Sequence, residues 1–89
     1  MQQKLHPVDV ICLSGADGQI VPLRIRAEHF FEETMVGSVC EILQTKQNNR
    51  YGAESRTFLC RVRLPGKVCV LELKFFQRSH SWYLSVPNG

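Results

Sequence analysis

No apolar run in this 89-residue chain approaches the roughly 20 residues that carry a helix across a bilayer, so no membrane association is expected of it. The first residues, Met1-Gln2-Gln3-Lys4-Leu5-His6-Pro7, hold no apolar core of a secretory signal, and a cytoplasmic location is the expectation. No two of Cys12, Cys40, Cys60 and Cys69 stand at C-x-x-C spacing, and no histidine lies at a finger-like offset from them. A zinc site would need the fold to converge all four. Without a secretory signal a disulfide framework is not expected either. Each cysteine falls on or near an inferred core face, so all four read as small buried hydrophobes in a reducing compartment. A glycine-rich phosphate loop is also missing, since Gly15 and Gly18 read as turn residues. There is no internal repeat and no low-complexity segment. No cofactor and no metal are implied.

Catalytic groupings are equally sparse. His6, His29 and His80 fall in an arm, a connection and a turn, where solvated surface residues are the ordinary reading. Glu32 and Glu33 are adjacent, so on a strand they point to opposite faces and do not form an acid/base pair. A nucleophilic Cys12 or Cys69 would need a neighbouring base, and the pattern offers none. No catalytic residue is assigned, and the chain reads as non-enzymatic. An enzyme or ligand-binding barrel would require a pocket that sequence does not reveal.

What the chain does have is a period of two. Phe58, Cys60, Val62 and Leu64 alternate with Leu59, Arg61 and Arg63, as in a half-buried strand. Pro65-Gly66 is a turn signal, because proline presets φ and glycine accepts a positive one. Cys69, Leu71, Leu73 and Phe75 then oppose Val70, Glu72, Lys74 and Phe76. After the polar residues 77–81, Trp82, Leu84 and Val86 alternate with Tyr83 and Ser85. This makes a three-stranded antiparallel meander rich in aromatic and β-branched residues.

Upstream, residues 1–7 read as a flexible arm and residues 8–89 as one small β domain. Val8, Val10 and Cys12 share a strand face. Ala16-Asp17-Gly18 marks a turn, and residues 19–26 return. There Val21, Leu23 and Ile25 are expected on one side, with Ile20, Pro22, Arg24 and Arg26 on the other. Pro22 cannot donate to a ladder, which puts it at an edge or bulge. Residues 28–46 fit two patterns. Phe31, Met35, Val39 and Ile42 suit a helical face, yet Gly37 and the β-branched Thr34, Val36, Val39 and Ile42 weaken a helix. A strand from about Glu33 to Lys46 is preferred, after a short helical turn near His29, Phe30 and Phe31. Residues 47–55 read as a polar loop.

The fold class is therefore mainly β: a small antiparallel SH3-like barrel or strongly bent sheet of about six strands, with at most a short helix near residues 28–36. Sequential strands usually pair, and curling removes exposed edges.

Charge is uneven. Residues 1–43 hold three cations against six acids; residues 44–89 hold eight cations against two acids. On the outer side of the meander, Leu59, Arg61, Arg63, Val70, Lys74, Phe76, Arg78 and Tyr83 form a candidate contact face. Two readings of that face stand beside a plainly solvated one. Apolar residues, or an edge strand near Pro22, would take a protein partner, a homodimer in the simplest case. Alternatively, rings and cations would bind single-stranded nucleic acid weakly. An accessory module for protein–protein interaction ranks first.

Pro7-Val8-Asp9-Val10, Val39-Cys40-Glu41-Ile42-Leu43, Phe58 through Val68 and Ser81-Trp82-Tyr83-Leu84 occur in this order. The set resembles short bacterial β-domain proteins of unknown function, some encoded beside translesion DNA polymerases. Those proteins carry a P-V-x-V opening, a valine-leucine strand, an aromatic-x-V-x-V-x-G strand and turn, and a closing S-W-aromatic-L. Here Arg26-Ala27-Glu28-His29 stands where that pattern has a W-x-G turn. The resemblance implies a small accessory β-barrel linked to DNA metabolism and brings no catalytic residue.

Overall fold

The computed structural model describes residues 5–30, 33–50 and 54–87, with residues 29 and 30 described for their backbone alone. Among the described residues there are seven strands: β1 (His6–Pro7), β2 (Asp9–Ser14), β3 (Ile20–Phe30), β4 (Glu33–Asn48), β5 (Ser55–Leu64), β6 (Lys67–Phe76) and β7 (Ser81–Ser85). They form one antiparallel sheet in the order β1-β7-β6-β5-β4-β3-β2, curled into a half-barrel. No helix occurs among the described residues. The helical turn expected near residues 29–31 is strand at His29 and Phe30, and Phe31 lies outside the described residues. Of the arm expected over residues 1–7, His6 and Pro7 pair with Leu84 and Tyr83, and residues 1–4 lie outside the described residues.

One chain segment touches both ends of the sheet. β1 pairs with β7, and the Val8 amide donates to the Trp82 carbonyl at 3.2 Å. One residue later β2 begins to pair with β3, with Asp9 opposite Arg26. Pro7 suits this handover. It sits opposite Tyr83, between two residues that turn their amides toward β7, so its missing donor removes nothing from that ladder.

The core lies on the concave side. Ile25, Ala27, Phe58, Cys60, Val62, Leu71, Leu73 and Leu84 are buried there, with Trp82 packed against them. Trp82 stacks on Phe58 at 5.8 Å between centroids and meets Phe75 at 4.9 Å. The alternation over residues 58–84 thus has the physical cause assigned to it, one face of the meander holding the common interior; it stops there, because Ser85 is buried and Val86, expected inward, is exposed.

Bulges supply the curl. Register shifts leave Leu23 unpaired on β3, and Cys40 and Leu43 unpaired on β4. An extra residue bends a strand and increases its twist. Each bulge also inverts the alternation beyond it. Pro22 is consequently inward and fully buried, whereas Val21 and Leu23 are exposed, contrary to the expectation that they share a face with Ile25. The same shifts let both Val39 and Ile42 reach the core.

Two glycines are required by their positions. Gly66 has φ of 79°, a left-handed conformation that the turn after Pro65 demands and that other residues resist. Gly37 sits inward on β4, where an added Cβ would lie 2.6 Å from Val62 Cγ1 and 2.8 Å from Leu64 Cδ2.

All four cysteines are free thiols, but only two follow the expected burial. Cys60 is buried and Cys69 half-buried; Cys12 and Cys40 are exposed. Cys40 is exposed because it is a bulge residue, and Cys12 because its end of the β2–β3 hairpin extends past the core. Burial pushes the Cys60 thiol up from 9.0 to about 11, so it stays protonated and is a poor nucleophile at neutral pH.

Candidate functional site

Of the residues expected to form a contact face, Leu59, Arg61, Arg63, Val70, Lys74, Phe76 and Tyr83 lie on the convex side, spread along the strands from Phe76, opposite Ser55, to Arg63, opposite Val68. Lys74 lies opposite both Thr57 and Tyr83, Arg61 opposite Val70, and Leu59 opposite Glu72. Phe76 meets Tyr83 edge-on at 5.5 Å, and Lys74 Nζ stands 5.9 Å from the Phe76 centroid. Lys74, Phe76, Tyr83 and Leu59 are half-buried, while Arg61, Arg63 and Val70 are exposed. Arg78 falls in the exposed turn at residues 77–80, beyond the strands. The rings are therefore in contact with one another edge to face, with the lysine beside Phe76. Arg61 is ion-paired with Glu41 across the β4–β5 ladder. Glu72 accepts a hydrogen bond from Ser85 at 3.3 Å. The face is partly charge-compensated.

A second surface was not anticipated. On the outer face of the β2–β3 hairpin, Ile11 is 63% exposed, Leu13 59%, Leu23 42% and Val21 36%. Leu13 pairs directly with Val21, Ile11 is its next neighbour along β2, and Leu23 is the bulge residue between them. Val36 adds to this side from β4, opposite Arg26. The sequence did carry a signal for this patch. In β2 both faces are apolar, Val10 and Cys12 on one and Ile11 and Leu13 on the other. A strand at the margin of a one-sided core leaves one of those sets in water.

β2 is also the last strand of the sheet. Because the Val8 amide points toward β7, alternation turns the amides of Asp9 and Ile11 toward β3. Those of Val10 and Cys12 then face the open side. Native proteins blunt such an edge with lysine, proline or a bulge. β2 has neither lysine nor proline, its residues being Asp9, Val10, Ile11, Cys12, Leu13 and Ser14, and the extra residue of the bulge in its ladder, Leu23, lies on β3.

Where β2 and β7 diverge, a groove of about 740 Å³ opens, lined by His6, Val10, Arg26, Glu28, His80 and Trp82 among others. Its charges are largely satisfied from within. Arg26 reaches Asp9 at 3.4 Å and Glu28 at 3.2 Å, and His6 Nε2 is 2.9 Å from the Glu28 carbonyl oxygen. A second hollow of about 610 Å³ lies toward the Pro65 turn, beside Met35, Leu64, Cys69 and Leu71. Among the described residues no group of three or more His, Cys, Asp or Glu side chains is placed to hold a metal ion. Comparison of the chain with protein-family models, with curated proteins and with solved structures finds no significant match. The reading of the surface therefore rests on its geometry.

Proposed function

We propose that the chain is a non-catalytic accessory module that binds protein through the open edge of β2 and the apolar outer face of the β2–β3 hairpin. One observation carries this reading: four large apolar side chains surround a six-residue sheet edge that has no lysine, arginine or proline. An extended partner adding a strand there would gain main-chain hydrogen bonds from Val10 and Cys12. Ile11 and Leu13 would supply the apolar contact. The basic convex face supports a secondary reading, since Arg63 is exposed near the Pro65 turn and Arg78 is exposed just beyond Phe76 at the other end of the strands. Binding there would be weak and steeply salt-dependent.

Photo-crosslinking in the producing cell separates the two. A benzophenone side chain replacing Leu13 is expected to give protein adducts that Val21→Lys abolishes. The same group replacing Arg63 is expected to give few. Adducts formed only from position 63, and removed by nuclease, would overturn the proposal in favour of nucleic acid.

A further inference from the structure

We infer that the partner taken by β2 is a second copy of the same chain, paired antiparallel about a two-fold axis through Cys12. This rests on the reading of β2 as an interaction edge and names its occupant. In an antiparallel pair, residues that turn their amides across the gap must meet residues that do the same. On β2 these are Val10, Cys12 and, by the same alternation, Ser14. Centring the axis on Cys12 sets Val10 opposite Ser14 of the second copy and Cys12 opposite its own equivalent. All three hydrogen-bonding positions are then used.

The same register matches the side chains. Ile11 falls opposite Leu13 of the second copy, and Leu13 opposite Ile11. Because Leu13 already pairs with Val21, and Ile11 with Arg24, each row across the joined sheets reads Val21, Leu13, Ile11, Arg24. Apolar side chains occupy the middle of each row and the arginines lie at opposite ends. Asp9 meets Gly15, so no like charges face one another. Shifting the axis to Ile11 would set Leu13 against Asp9. Shifting it to Leu13 would leave Ile11 against Gly15. The strand is thus self-complementary in one register, as a two-fold contact requires. Two short strands bury less than the ~1,200 Å² at the low end of stable interfaces, so the dimer is reversible and concentration-dependent.

Sedimentation over a wide concentration range tests this, together with a short bis-maleimide that alkylates one thiol at each end. The average mass is expected to rise toward twice the monomer mass. Leu13→Lys is expected to hold it at the monomer with an unchanged thermal midpoint, because residue 13 is exposed. Cys12→Pro removes an amide that faces the gap rather than β3, and is also expected to abolish the dimer. In a Cys40→Ser background, cross-linked dimer is expected through Cys12; in a Cys12→Ser background none should form through Cys40. A strict monomer at the highest concentration, or a dimer that survives Leu13→Lys, would overturn the inference. Should the monomer persist while position 13 still photo-crosslinks another protein, the self-pairing fails and the interaction-edge reading stands. If position 13 captures nothing as well, both fall.

Discussion

Gly37→Val is expected to lower stability by more than ~3 kcal/mol, beyond the usual range for overpacking. Gly37 lies inward on β4, opposite Ile25 on β3 and next to the first residue of β4 that pairs with β5, Ser38 opposite Arg63. A Cβ there would come within 2.6 Å of Val62 Cγ1, 2.8 Å of Leu64 Cδ2 and 3.3 Å of the Arg63 carbonyl oxygen. Val62 is fully buried and β-branched, so it has nowhere to turn. Overpacking of this kind costs ~1–3 kcal/mol for a small increment, and valine adds two methyl groups beyond alanine. A domain of this size has roughly 5–15 kcal/mol in all. Gly37→Ala is therefore expected to lower stability by about 1–3 kcal/mol and remain folded. Urea unfolding followed by circular dichroism checks the series. A Gly37→Val protein as stable as the parent would show that β4 does not approach β5 as described.

Phe58→Ala is expected to lower the thermal midpoint by on the order of 15–30 °C. Phe58 is 3% exposed and stacks on Trp82 at 5.8 Å, which links β5 to β7 across the curl. Its removal deletes transfer free energy and leaves a cavity among side chains that have no other filler, a loss of ~3–5 kcal/mol. Arg63→Ala, on the convex side of the same strand, is expected to shift the midpoint by little, since exposed positions tolerate substitution. The contrast between two positions of one strand tests the inside–outside assignment without any knowledge of a ligand. Equal shifts for the two variants would refute it.

The strands were legible because an antiparallel sheet with one wet face writes a period of two into the chain. Phe58, Val62, Leu73 and Trp82 do share an interior. The same rule favoured strand over helix at residues 33–46, where Gly37 and the β-branched residues weighed against helix. It failed wherever a residue was inserted. Leu23, Cys40 and Leu43 each displace the alternation by one, so Val21 and Leu23 were expected beside Ile25 although the bulge turns them outward. A bulge is set by how two strands fit one another, and a single strand's pattern does not contain that fit.

The candidate surface was legible in a similar measure. Leu59, Arg61, Lys74, Phe76 and Tyr83 occupy the convex face, as their spacing requires. Spacing does not say that Phe76 and Tyr83 meet edge to edge, or that Glu41 on another strand neutralises Arg61. The apolar edge was missed for the opposite reason. Val8, Val10 and Cys12 mark one face of a strand, and the exposure of Ile11 and Leu13 on the other follows only once the topology places β2 last in the sheet. An edge near Pro22 was anticipated from proline's missing amide. The open edge belongs to the strand that Pro22 pairs with, while Pro22 itself is buried.

Residue-resolved amide hydrogen exchange of β2, in dilute protein and again in concentrated protein, tests the open edge most directly. In dilute solution the amides of Val10 and Cys12 should exchange quickly while that of Ile11, bonded to β3, exchanges slowly. Raising the concentration should slow Val10 and Cys12 alone. Uniform protection of Val10, Ile11 and Cys12 at every dilution would mean that another part of the chain already covers this edge, contradicting the account.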